Sequence, residues 1–372
     1  MVYSEAMLIV FYMLPVITFL AVLALIPVAR WLAVRCGFVD EPGGRKKHEG
    51  AVPPIGGLVV FPVFMLMLLF LGVSTQPATL WFFAALSLLL VTGALDDRFH
   101  VPPRIKFIMQ WLAAFIIVVP GQIYVVDLGN LLGFGDIAFG KWSAYIFAIV
   151  ATVLLINAIN LMDGLDGLAG GFGAIFFVLM ALCYALSTIY AASIVCLAFA
   201  GAIGGFLVFN MRHRWRRKAS VFLGDSGSLA LGLSLAYFSI ESAQWGLGGQ
   251  IDMGHRVTTP VTIAWILALP IYDTCGQFAR RVREGRHPFD PDDNHFHHHF
   301  IHAGFSVGQA TAIILMLVTC GGLIGIGGVL VGVPDYVLGW LWTVLLFAHI
   351  YMSMRPDRFQ LLLSRLRERV AL

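Results

Sequence analysis

The feature that most constrains this chain is a succession of eleven apolar runs, beginning near Met7, Val52, Ala78, Ile105, Trp142, Leu168, Ala191, Ser226, Thr258, Val307 and Val333. Each run is long enough for an α-helix to cross about 30 Å of hydrocarbon. Inside a bilayer the backbone has to satisfy its own N–H and C=O groups, which a helix does within one segment. Hydrophobic residues make up 59% of the chain and charged residues 12%, with a strongly positive mean hydropathy. A soluble domain of this length does not tolerate that balance. The reading is therefore an all-α, polytopic integral membrane protein with about eleven transmembrane helices, built as one transmembrane domain over residues 1–372.

Orientation follows from the basic residues, because short cytoplasmic loops retain Lys and Arg. With the N-terminus outside, alternate connections carry Arg30 to Lys47, Arg98 to Lys106, Arg212 to Lys218, Arg280 to Arg286, and the Arg-rich tail. These hold 22 of the 24 basic residues, leaving only Lys141 and Arg256 on the other face. An even number of spans would scatter the clusters to both sides, so the count supports a periplasmic N-terminus and a cytoplasmic C-terminus. No Lys or Arg precedes the first run, which is long enough to span, so no cleavable signal is expected. The five cysteines lack metal-type spacing and read as packing residues. A net charge of +3 reflects topology and anionic headgroups and does not imply nucleic acid.

Between two apolar runs lies a polar interruption, NAINLMDGLDGLAGG, from Asn157 to Gly171. Asn157, Asn160, Asp163 and Asp166 recur every three residues, and each such step turns a helical side chain back by about 60°. Four positions would fan across half the cylinder, so one ligand can meet all four only where the helix breaks. Gly164, Gly167, Gly170 and Gly171 tolerate that break, which predicts a helix end, a tight turn and a helix start. Carboxylates at a membrane rim are costly to hold and point to function.

Other clusters share that side. Lys46, Lys47 and His48 precede a helix start, which suits either a topology anchor or a phosphate. Asp96 and Asp97 close the third run, ahead of Pro102, Pro103, Arg104 and Lys106. Paired carboxylates hold a divalent cation, or one of them keeps a raised pKa and acts as a base. Asn210 ends the seventh run, and Asp225 opens the eighth within VFLGDSGS. An Asp there is at least an N-cap, but its Gly and Ser neighbours also let a metal or phosphate approach. The next cytoplasmic connection gathers His287, His295, His297, His298, His299 and His302 with Asp290, Asp292 and Asp293. His-rich tracts bind transition metals, yet no Cys accompanies them and hard carboxylates lie elsewhere, which favours phosphate handling over zinc.

The connections 30–51, 96–105, 157–167, 210–225 and 280–306 thus form one expected site at the cytoplasmic rim, with 355–372 an amphiphilic cytoplasmic tail for the membrane surface. The outer face has no comparable concentration, and nothing from Gly121 to Lys141 suggests chemistry. Carboxylates for a hard cation, with basic residues and helix ends for phosphates, point to phosphoryl transfer between a soluble nucleotide and a lipid phosphate. A transporter would place its site near the midplane between repeated halves; here the acids sit at one rim and no internal repeat is visible.

The motifs RKKH, LDDR, NAINLMDGLDGLAGG, VFLGDSGS and NHFHH, in that order along nearly the whole chain, resemble those of the polyprenyl-phosphate N-acetylhexosamine-1-phosphate transferases, above all the WecA-type bacterial undecaprenyl-phosphate GlcNAc-1-phosphate transferases. The resemblance implies a Mg²⁺- or Mn²⁺-dependent reaction at the bacterial inner membrane, with the site facing the cytoplasm. UDP-GlcNAc and undecaprenyl phosphate would give undecaprenyl-diphospho-GlcNAc and UMP, the start of a surface polysaccharide such as O-antigen. By matching motif it implies Asp96, Asp97, Asp163, Asp166 and His298 as catalytic. Lys47, His48, Asn157, Asn160, Asn210, His295 and His297 would bind substrate, and Asp225, with Asp96, would bind metal. The implied partners are a UDP-sugar, undecaprenyl phosphate and the bilayer; a homodimer is left open. A sibling that transfers phospho-MurNAc-pentapeptide shares the acidic pair, the Gly-Asp phrase and the histidines. LDDRF and the region from Pro291 to His298 favour GlcNAc, with GalNAc or a deoxy amino sugar remaining as alternatives.

Overall fold

Each apolar run is helical in the computed structural model, which describes residues 5–40, 50–70, 77–245, 257–287 and 294–370. In chain order the helices are α1 (Glu5–Arg35), α2 (Gly56–Phe70), α3 (Pro77–Phe99), α4 (Pro103–Val118), α5 (Lys141–Met162), α6 (Leu168–Leu186), α7 (Tyr190–Asn210), α8 (Gly224–Trp245), α9 (Pro260–Ile266), α10 (Ala268–Arg283), α11 (Phe296–His302), α12 (Val307–Leu330), α13 (Asp335–Ser353) and α14 (Pro356–Val370). Among the described residues there is no strand, only three isolated bridges. The chain is an all-helical, polytopic membrane protein.

Seven of the described helices are long and apolar enough to cross a membrane: α1, α3, α5, α6, α7, α12 and α13. The bent pair α9 and α10 would make an eighth. The other three expected spans fall on α2, α4 and α8. Over the described residues α2 and α4 have 15 and 16 residues, which at about 1.5 Å per residue is short of 30 Å. Helix α8 is longer but carries several serines and Glu241, and every residue from Ser226 to Ile240 is buried.

That burial makes α8 the axis of the bundle, with α2, α3, α4, α5 and α6 packed around it. Lipid tails are as apolar as leucine, so helices associate in a bilayer through close packing and interhelical hydrogen bonds, favoured by small residues. A Cβ added to Gly57 would lie 2.3 Å from the Gly227 Cα, and one added to Gly93 would lie 2.2 Å from the Ser226 N. Backbones of α2 and α3 therefore touch the first turn of α8. Deeper in the bundle Phe64 stacks on Phe199 at 4.0 Å, and Phe177 joins them at 4.2 Å.

The ninth run, expected as one span, is broken in two. Helix α9 stops at Ile266, the chain bends by 70°, and α10 continues to Arg283. Pro270 accounts for the break: it has no N–H to give to Ile266, and its ring clashes with that carbonyl in a continuous helix. Asp273 consequently lies in the middle of α10. The expected loop 280–306 is partly helical as well, since it includes the end of α10 and all of α11.

Candidate active site

Two side-chain clusters face each other across the turn between α5 and α6. The chain there does what its glycines permit. Helix α5 ends at Met162, Asp163 follows as C-cap, and Gly167 takes φ +81° before α6 begins at Leu168, a left-handed conformation that costs glycine little.

The acidic cluster grows from the C-terminal end of α3 and the first turn of α8. Asp97 accepts the Asp225 N–H on Oδ1 at 2.9 Å and the Ser226 N–H on Oδ2 at 3.3 Å, so it caps α8 from another helix. Free N–H groups at a helix start favour a carboxylate, and the glycine contacts at Gly57 and Gly93 allow the approach. Asp96 and Asp225 share one ammonium: Lys106 Nζ lies 2.6 Å from Asp96 Oδ2 and 3.2 Å from Asp225 Oδ2. The other oxygen of Asp225 accepts from Asn160 Nδ2 at 2.8 Å, and the same amide reaches Ser228 Oγ at 2.9 Å. Among the described residues Asp163 makes no hydrogen bond or ion pair. Loss of water around its half-buried carboxyl, together with the charges of Asp225, Asp97 and Asp166, raises its pKa to about 8.

Three further expected site residues tie elements together. Asn157 Nδ2 donates to Gln110 Oε1 at 2.7 Å and to the Val153 carbonyl at 2.8 Å, linking α5 to α4. Asn210 is buried; its Oδ1 accepts the Gly167 N–H at 2.8 Å and its Nδ2 donates to the Val221 carbonyl at 3.0 Å. Asp166 Oδ2 accepts from Arg212 Nε at 2.7 Å and from the Ala219 N–H at 3.2 Å, and its carbonyl accepts from Thr311 at 3.2 Å. These contacts fix the turn and the connection between α7 and α8.

The histidine cluster rests on Asp273. Asp273 Oδ2 lies 3.2 Å from His295 Nδ1, and its Oδ1 accepts the Phe296 N–H at 3.0 Å, which caps α11 from α10. The ring of His297 is 4.1 Å from that of His298 and 5.9 Å from that of His295. His297 packs on the α5–α6 turn: a Cβ on Gly164 would meet His297 Nε2 at 2.3 Å. That Nε2 is buried without a hydrogen-bond partner among the described residues. Burial, reinforced by the charge of His298, depresses the pKa of His297 to about 3; burial likewise lowers that of His299 to about 4. Both rings are neutral at physiological pH. Lys47 and His48 lie outside the described residues.

Sequence reasoning passed over Lys106, Gln110, Ser228 and Asp273 as site residues. The available signal was the same for three of them: Lys106, Gln110 and Asp273 are polar groups inside otherwise apolar runs.

Among the described residues no three His, Cys, Asp or Glu side chains converge as ready-made metal ligands. In donor chemistry the acidic cluster nevertheless suits a hard cation. Asp96 and Asp225 are within hydrogen-bonding reach of each other, and carboxyls so close cannot both stay charged without a proton or cation between them. Lys106 supplies one positive charge against four acids.

The pattern that defines glycosyl transferase family 4 matches residues 79–243. A transferase of Yersinia pestis is 31% identical over 354 residues, 95% of this chain and 94% of its own length. The chain belongs to glycosyl transferase family 4. That relative is named undecaprenyl-phosphate alpha-N-acetylglucosaminyl 1-phosphate transferase. Proteins of the same name from Salmonella typhi and Haemophilus influenzae are 30% and 31% identical, over 92% and 94% of this chain and 90% and 95% of theirs. In this family 4 transferase the matched segment runs from α3 to the end of α8, so it contains the whole acidic cluster. The histidine helix lies beyond it and is reached only by the alignments to the relatives.

Proposed function

We propose that the chain transfers N-acetylglucosamine 1-phosphate from UDP-GlcNAc to undecaprenyl phosphate, giving undecaprenyl-diphospho-GlcNAc and UMP, the first step of a surface polysaccharide. The observation that carries this reading is the convergence of Asp96, Asp97, Asn160, Asp163 and Asp225 with Lys106 where α3, α4, α5 and α8 meet. It falls in the segment shared with the family. Relatives with that printed activity, similar over nearly the full length, support it.

The attacking group is a phosphate monoester on the lipid and the electrophile is the β-phosphorus of the nucleotide, so the site has to bring two anions together. Asp225 and Asp96 would hold Mg²⁺ or Mn²⁺, which when bound offsets phosphate charge and stabilises the departing UMP. Asn160 holds one oxygen of Asp225, and Asp97 fixes the backbone that carries it. Asp97 is thereby a positioning residue, and Asp163 is the acid left to meet substrate. With a pKa of about 8 in the absence of ligand, its carboxyl is suited to exchange a proton with the lipid phosphate. His297, neutral and with Nε2 unpartnered, can donate one N–H to a phosphate oxygen across the Gly164 turn; His298 stands beside it. In the same reading Asn157, Asn210 and Asp166 act through the turn they brace, and Lys47 and His48 serve phosphate at the first loop.

The proposal includes eleven passes through the bacterial inner membrane, with the N-terminus periplasmic and the site and C-terminus cytoplasmic. The basic-residue count supports that orientation, and the most polar of these helices, α8, is shielded by its neighbours from Ser226 to Ile240. Purified protein with undecaprenyl phosphate and a panel of UDP-sugars tests the function. UMP release with UDP-GlcNAc, exceeding that with UDP-GalNAc or UDP-MurNAc-pentapeptide, is expected; release with another sugar alone would overturn the GlcNAc assignment.

A further inference from the structure

Only two residues separate the end of α13 from the start of α14, which keeps α14 at the membrane rim. Its inner face packs on the histidine helix. Leu363 is buried, the Phe359 ring is 5.8 Å from that of Phe296 and 5.1 Å from that of His299. Gln360 Nε2 lies 3.3 Å from the Nδ1 atoms of both His299 and His302.

The rest of α14 is sorted by side. At about 100° per residue, Leu362, Leu366, Arg358, Arg365 and Arg369 fall within an arc of about 100° on one flank, while Leu361 lies about 40° outside it, nearer Glu368. Asp357, Ser364 and Glu368 cluster on the opposite flank. The three leucines are 52%, 47% and 47% exposed for Leu361, Leu362 and Leu366, and the three arginines on that flank are exposed too. Leucines and arginines on one flank, with the acids turned away, match the boundary between acyl chains and anionic headgroups.

We propose that this flank of α14 docks on the anionic lipid surface of the leaflet that carries the site, and that docking steadies α11 through Phe359, Gln360 and Leu363. The chain would then work fastest on an anionic membrane. The consequence for turnover rests on the transferase reading; the docking does not.

Hydrogen–deuterium exchange on the full chain in lipid nanodiscs tests both parts. On phosphatidylglycerol, compared with phosphatidylcholine, exchange in 356–370 and 296–302 should slow by at least about fivefold, the weight of one basic residue near an anionic surface. The combined substitution Arg358→Gln, Arg365→Gln and Arg369→Gln should abolish the difference. Screening the wild type with about 1 M salt, where charges act over only about 3 Å, should do the same without any substitution. Equal exchange on the two lipids, or an unchanged difference in the triple variant, would overturn the docking. Slowing confined to 356–370 would overturn the link to the histidines. Protection that grows with protein concentration in detergent would assign the flank to a second copy instead. UMP release should follow the same lipid preference; exchange that responds while turnover is absent would count against the transferase reading and leave the docking standing.

Discussion

The α4–α5 connection, from 119 to 140, and the end of the bundle that carries the acidic cluster use the same residue types in different ways. In the α4–α5 connection Asp127 accepts the N–H of Gly129 at 2.7 Å and Asn130 accepts that of Gly135 at 3.1 Å. These side chains shape their own loop, and Trp340 fastens it to α13 by donating to the Leu132 carbonyl at 3.1 Å. Around the acidic cluster Asp97 reaches residues 128 and 129 positions ahead, Asn160 one 65 positions ahead, and Asn210 one 43 positions back. A side chain that bonds its own turn makes a loop, whereas one that bonds a distant helix decides where that helix begins. Damage to the first kind stays local; damage to the second moves several site residues together.

The sharpest way to break that contrast is Gly93→Val. Its side chain would run into the backbone of Ser226, and overpacking costs about 1–3 kcal/mol of stability. The larger effect is on chemistry, because the first turn of α8 has to shift from Asp97. Turnover should fall by about 100-fold or more, since misplacement by about 1 Å costs that much. UMP release and melting temperature read both changes; wild-type turnover would show that the capping contact is incidental.

Asp166 and Arg212 should come next. Arg212→Ala and Asp166→Asn are each expected to lower turnover about tenfold by loosening the α7–α8 connection. The double variant should be no worse than the poorer single, because the two form one clasp. Multiplying losses would mean that Asp166 acts on substrate independently of Arg212.

Burial and neighbouring acids raise the pKa of Asp163 from 3.8 in an exposed carboxyl to about 8, so the folded, metal-free protein holds a proton that the unfolded chain releases. Stability should therefore decline as pH rises from about 4 to about 8 and level off above. Asp163→Asn should flatten this slope and melt higher than wild type at pH 9, as scanning calorimetry in a chelator will show. An unchanged slope would place the titration elsewhere. At the small end, Asp127→Ala in the α4–α5 connection should leave turnover within about twofold, the range of a surface substitution.

How much of this was legible beforehand follows the same division between local and distant. The polar interruption could be read because its signals are local: a spacing of three, and glycines where a helix has to break. The bend before Pro270 was equally local and could have been read from the missing N–H. Which partner each polar side chain takes depends on how helices rotate against one another, and hydropathy does not encode rotation. In sequence Lys106 is one basic residue of the topology count, and only α4 sets it between Asp96 and Asp225; Asp273 is one acid within the ninth run, and only the bend brings it under α11. The number of spans was blurred for a related reason, since α8 can carry serines and Glu241 only because other helices surround it.

The account stands most directly on Asp225, where α8, Lys106 and Asn160 meet. Turnover of Asp225→Asn should be measured against wild type across a Mg²⁺ titration, with melting temperature recorded for both. The amide can still accept from Asn160 but cannot replace a charged hard-oxygen ligand, so at least about 100-fold loss of UMP release is expected with a melting temperature close to wild type. Wild-type turnover by Asp225→Asn at low Mg²⁺ would contradict the assignment of the acidic cluster as the site of transfer.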